Sequence, residues 1–143
     1  MKEITKNLFN PGNYENKINV ALFLLRLSVG ILMLTHGFGK LTSLFGSEPI
    51  RFGDPIGLGV TASLALATFS EFLCSILLIF GLGTRFAAVP LLITMLVAAL
   101  IVHADDPFRR QELPLLYATI YMVILIVGAG KISIDNWIYN KKK

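Results

Sequence analysis

Arg26, His36, Lys40, Glu71, Cys74, His103, Tyr117 and Tyr121 are ionisable side chains set within or at the ends of long apolar stretches, where a proton carrier, a donor or a fixed charge is most conspicuous. If the first stretch is a helix turning by about 100° per residue, Arg26, His36 and Lys40 fall within an arc of about 80°. Gly30 and Gly37 share that side. Such a stripe belongs against protein, and its glycines let a neighbouring backbone or a planar ring approach closely. His36 and Lys40, at i and i+4, then offer two donors to one ring. His36 and His103 could ligate haem b or a metal if they faced one another. A hydrogen bond is the commoner role of such histidines, so no metal site is expected. Cys74 has no second cysteine for a CxxC pair, a haem attachment or a thiol relay, and reads as a small apolar filler. Tyr117 and Tyr121, also at i and i+4, read as packing residues with hydroxyls aimed at the polar stripe. Gly57-Leu-Gly59 opens an apolar run instead of a strand-to-helix turn and is no nucleotide fingerprint.

Composition decides what must position these residues. The chain has 143 residues, is 55% hydrophobic and only 15% charged, and has a mean hydropathy of +0.69. Soluble domains run at about 45–50% apolar and about 25% charged, so lipid is the expected solvent. Four apolar blocks, over residues 20–44, 57–82, 86–102 and 114–129, are each near the ~20 residues a spanning helix needs. They lack the period-2 alternation of a membrane barrel. The expected fold is therefore all-α, an integral membrane four-helix bundle over residues 20–135, with no room for a separate soluble catalytic domain. Residues 1–19 read as a polar cytoplasmic tail with a short interfacial turn near Leu8 and Phe9 and no signal-peptide pattern. Residues 136–143 read as a basic cytoplasmic tail.

The net charge of +4 does not point to nucleic acid, because the bases form no stripe interleaved with aromatic residues. Instead they sort by side. Lys2, Lys6, Lys17, Arg85, Lys131, Lys141, Lys142 and Lys143 fall on the side of the termini, against Lys40, Arg51, Arg109 and Arg110 opposite. The positive-inside rule then places both termini in the cytoplasm, with Trp137 and Tyr139 in the inner aromatic belt. At about 1.5 Å per residue, Arg26 lies ~10 Å and Glu71 ~18 Å above the inner ends of their helices. By snorkelling, Arg26 could reach Glu71. A buried Arg26–Glu71 ion pair is expected, with Thr35, Ser70 and Ser75 as further partners. It serves either to fix helix register or as a substrate contact or proton relay. His36 and His103 both come out ~25 Å up, at the outer interface.

The segment from Arg26-Leu-Ser-Val-Gly30 through Thr35-His36-Gly37-Phe-Gly-Lys40 resembles the opening helix of the DoxX family of small four-helix bacterial membrane proteins. Glu71-Phe-Leu-Cys74, Gly81-Leu-Gly-Thr84-Arg85, Met95, His103 and Glu112-Leu-Pro114-Leu-Leu-Tyr117 follow in the family's order and spacing. The resemblance covers about residues 20 to 135. It implies the bacterial inner membrane and an association with membrane redox work, through a subunit related to thiosulfate:quinone oxidoreductase and through partners of thiol and oxidative-stress enzymes.

Two readings compete. In the first, the chain is a membrane subunit of a quinone-linked oxidoreductase. It binds quinone or a small ligand in the outer half of the bundle, with Arg26, His36, Lys40, Glu71 and His103 as candidate contacts, and exchanges electrons with a protein partner. In the second it is a non-enzymatic scaffold or assembly factor whose polar stripe grips a partner helix. A transporter or channel ranks below both, because a four-helix protomer would have to form a homo-oligomer to enclose a pore.

Overall fold

Between Lys17 and Lys40 the first apolar block carries no proline and no charge except Arg26, and it folds as one uninterrupted helix, α1 (Asn16–Phe45), of 30 residues. In this computed structural model, which describes residues 9–141, α1 is followed by α2 (Val60–Phe80), α3 (Thr84–Val102), α4 (Phe108–Val127) and α5 (Ile134–Lys141). The first four are each long and apolar enough to cross a membrane. No strand occurs among the described residues. This is a helical membrane protein. At 1.5 Å per residue α1 is about 45 Å long, more than the ~30 Å hydrocarbon core, which leaves length for tilt or for a stretch beyond the core.

The ends of the helices follow local chemistry. Gly81 adopts φ +66° and closes α2, with its N–H donating to the Leu78 carbonyl and that of Leu82 to the Leu77 carbonyl. This pairing satisfies carbonyls that a helix end otherwise leaves free. Gly83, at φ +57°, then lets α3 start at once. Asp54 accepts the amides of Leu58 and Gly59 and the Ser63 hydroxyl, fastening the loop before α2. α4 begins at Phe108, six residues before the expected start at Pro114. Pro107 fixes the backbone just ahead of it, and the Gln111 amide donates to the carbonyls of His103, Ala104 and Asp106. Pro114 therefore lies inside α4, where it has no N–H to give the Arg110 carbonyl. Most of the segment read as a C-terminal tail is helical instead, in α5. The expected turn at Leu8, and Lys142 and Lys143, lie outside the described residues.

Around the bundle, α1 packs along α2, α2 against α3, and α3 along α4, whereas α1 and α4 hardly touch. Near the termini that last seam is laced shut. The Tyr14 hydroxyl donates to the Val127 carbonyl at 2.9 Å, Asn19 accepts the Lys131 amide at 2.8 Å, and the Gly130 amide donates to Pro11. The core runs through Val29, Met33, Cys74, Leu78, Leu91, Met95, Tyr121 and Ile124. Leu32, Phe38, Phe80, Leu100 and Ile126 are exposed, as lipid-facing side chains should be.

Candidate functional site

At the end of the bundle away from the termini, the four spanning helices surround a cavity of about 200 Å³. α1 contributes Met33, His36 and Lys40, α2 contributes Glu71, α3 contributes Met95, Ala98 and, just past its end, His103, and α4 contributes Leu113, Pro114 and Tyr117. Two helices change their winding where they meet it. Phe69–Cys74 in α2 and Ala98–Val102 in α3 are π-helical, the latter ending with the His103 amide donating to the Ala98 carbonyl at 3.0 Å. A π turn inserts a residue, widens the helix and re-aims its side chains. One such turn carries Glu71; the other delivers His103. Against the first, α1 presents Gly37, where a β-carbon would lie 2.5 Å from the Glu71 carbonyl carbon and the Phe72 nitrogen. Only glycine lets α1 approach so closely.

The charges at the cavity are paired. Lys40 Nζ lies 2.5 Å from Glu71 Oε2, with the Glu71 side chain buried and that of Lys40 a quarter exposed. An ammonium has three donors, so Lys40 can hold Glu71 and still offer an N–H to a ligand. On the opposite wall His103 Nδ1 lies 2.7 Å from Asp106 Oδ2, and Arg110 donates to Asp106 Oδ1 at 3.1 Å. The hydrogen bond from His103 and, after it, that from Arg110 hold the Asp106 carboxyl below the usual carboxylate range. An ionised Asp106 takes the Nδ1 hydrogen of His103 and leaves Nε2 as the ring's other polar atom. His36 is exposed and has no hydrogen-bond partner among the described residues. Tyr117 stacks on Tyr121, whose buried hydroxyl is unpartnered. The arrangement can hydrogen-bond the oxygens of one ring and carry protons to or from them.

Arg26 is not part of this site, and the expected Arg26–Glu71 ion pair does not form. Fully buried toward the end that holds the termini, Arg26 donates through Nη1 to the Leu78 carbonyl at 2.9 Å and through Nη2 to the Ile132 carbonyl at 2.5 Å. It lies level with the end of α2, where carbonyls lack helical partners and the helix dipole favours a cation. Glu71 is seven residues, about 10 Å, further along α2. The three hydroxyls expected to help do not serve the pair either. Thr35 bonds the Leu32 carbonyl, and those of Ser70 and Ser75 are buried without partners. The carboxylate whose field Arg26 feels is Asp135. It is itself buried, accepting the amides of Gly83 at 2.6 Å and Thr84 at 2.9 Å.

Asp106 and Asp135 are the residues that sequence reasoning missed. The spacing His103-x-x-Asp106-x-x-x-Arg110 was a usable signal for the first. For the second the signal was Ser133 just before Asp135, because Ser133 Oγ caps α5 by accepting the Asn136 amide. A larger hollow, of about 500 Å³, lies between Thr42, Ser43 and the loop through Glu48 and Arg51. Its walls are exposed and carry none of the ion pairs above, so it makes the weaker site.

The sequence profile of the DoxX family matches residues 21–104, which include His36, Lys40, Glu71 and His103. The chain belongs to the DoxX family. An uncharacterized protein of Haemophilus influenzae is 33% identical over 127 residues, covering 83% of each chain. A second from the same organism is 32% identical over 137 residues, covering 91% of this chain and 99% of its own. A Bacillus subtilis protein described as "Putative oxidoreductase CatD" is 27% identical over 130 residues, 90% of this DoxX chain and 95% of its own. No solved structure matches the sequence.

Proposed function

We propose that this DoxX protein is the membrane subunit of a quinone-linked redox system and binds a quinone ring in the cavity between Lys40–Glu71 and His103–Asp106. One observation carries the reading: a cavity of about 200 Å³ with apolar walls holds a fixed cation, a carboxylate and two imidazoles, all within the family's matched segment. Small-molecule sites are mostly apolar with a few convergent polar groups. The volume suits one ring, not a haem macrocycle. Reduction of a quinone takes up two electrons and two protons. Here Lys40 and His36 donate hydrogen bonds to the ring oxygens, while Glu71 and His103 move protons. The electrons come from a partner oxidoreductase at the membrane. The name borne by the CatD relative agrees with that class of chemistry.

Orientation belongs to the same reading. With both termini in the cytoplasm of a bacterium, the cavity opens in the outer half of the inner membrane, as the distribution of bases favours. A C-terminal reporter active only outside the cytoplasm is then silent. The decisive test is quinone binding by the purified protein in nanodiscs. His36→Ala with Lys40→Met should weaken it by at least about tenfold, the loss of ~1.4 kcal/mol. Unchanged binding would leave the scaffold reading in first place.

A further inference from the structure

We propose that the cavity is entered sideways from the bilayer, between α1 and α4, and that its ligand is a ring with a long apolar tail that stays in this gap. The proposal rests on the ring-binding reading above and adds the route and the chemical class. Three seams of the bundle are packed, and the fourth, α1 against α4, is not. Its lacing by Tyr14, Asn19 and Gly130 lies at the end that holds the termini, away from the cavity. Of the residues lining the cavity, only His36 and Leu113 are exposed. One is on α1 and the other on α4, which places the mouth between those two helices.

The rim is built for lipid. Leu113 is 51% exposed, and Leu32 on α1 and Leu116 on α4, each about a turn from the mouth, are 55% and 57% exposed. Of the four exposed residues at this mouth, His36, Leu32, Leu113 and Leu116, three are leucines. The way in from the loop side is crossed by the Lys40–Glu71 pair and by the His103–Asp106–Arg110 chain, which Gln111 ties to the loop carbonyls. α1 also runs nine residues past His36, about 14 Å at 1.5 Å per residue, so the mouth sits well below the helix end. A ligand reaching this mouth has partitioned into the bilayer first. An apolar tail makes it do so at ~0.8 kcal/mol per methylene, and the tail then lies against Leu32, Leu113 and Leu116.

The probes are a decyl-substituted benzoquinone carrying a diazirine near the ring, and the same ring without its chain, each added to the wild-type protein in nanodiscs. Photolysis of the first should label α1 and α4 within a turn or two of His36 and Leu113; labels on α2 or α3, or spread evenly over the lipid-facing surface, would overturn the route. Leu113→Trp narrows the gap and should weaken the decyl quinone at least about tenfold more than the bare ring. Equal weakening of both, or of neither, overturns the proposal. If the bare ring binds wild type and the decyl quinone does not compete, lateral entry falls and ring binding stands. If neither binds, both fall.

Discussion

Lys40 on α1 and Glu71 in the π turn of α2 stand 2.5 Å apart, but only Lys40 is partly exposed. That asymmetry predicts unequal effects of breaking the pair. Lys40→Met leaves a buried carboxylate without its cation and should cost about 3 kcal/mol, whereas Glu71→Gln leaves a lysine that can snorkel and should cost about 1 kcal/mol. The double variant should lose less than the sum. Thermal unfolding in detergent measures all three; equal single losses that add in the double would show that the contact contributes nothing.

Arg26 and Asp135 form the second buried polar centre, and together they fasten α5 to the turn between α2 and α3. Asp135→Ala strands the Gly83 and Thr84 amides and removes the carboxylate opposite Arg26, so a loss of about 3 kcal/mol is expected, with Asp135→Asn milder. Once the clasp is gone, trypsin should cut after Lys131 faster than in wild type. Unchanged cleavage together with an unchanged melting temperature would refute the clasp.

The four spans were legible because apolar length is a strong signal: α2 and α3 depart from the blocks read in the sequence by three residues or fewer at either end. Arg26 was harder, because carbonyls leave no mark in the residue types, and a sequence shows a carboxylate partner more readily than a helix end. The π turns were invisible for a related reason: one inserted residue hardly disturbs a 3.6-residue pattern over so short a stretch. The polar stripe of α1 was visible. Lys40 and His36 line the cavity, but Arg26 at the other end of the stripe turned to a separate centre.

Gly37 and Gly39, two positions apart on α1, separate packing from propensity. At Gly37 an added methyl meets α2 backbone at 2.5 Å, while at Gly39 nothing lies within 4 Å. Gly37→Ala should force α1 off the π turn, costing about 1–3 kcal/mol and weakening ligand binding. Gly39→Ala should instead stabilise α1, by about 0.5–1 kcal/mol. Melting temperatures that move the same way for both would show that α1 does not rest on α2 at Gly37.

Asp54 makes the loop before α2 sensitive to acid. The hydrogen bond from the Ser63 hydroxyl and, after it, that from the Gly59 amide hold its carboxyl below the usual carboxylate range. A carboxyl lowered in the folded state contributes stability in full above its unfolded value, about 3.9, and loses it as pH falls through the lowered value. The Leu58 and Gly59 amides should therefore keep their protection from neutral pH down to about 5, then lose it progressively below about 4. Ser63→Ala removes the largest cause, so its loss should begin at a higher pH than in wild type. Hydrogen exchange, corrected for the intrinsic rate at each pH, measures both. Protection that persists unchanged to pH about 2, or a Ser63→Ala profile that coincides with wild type, would show that Asp54 does not hold this loop.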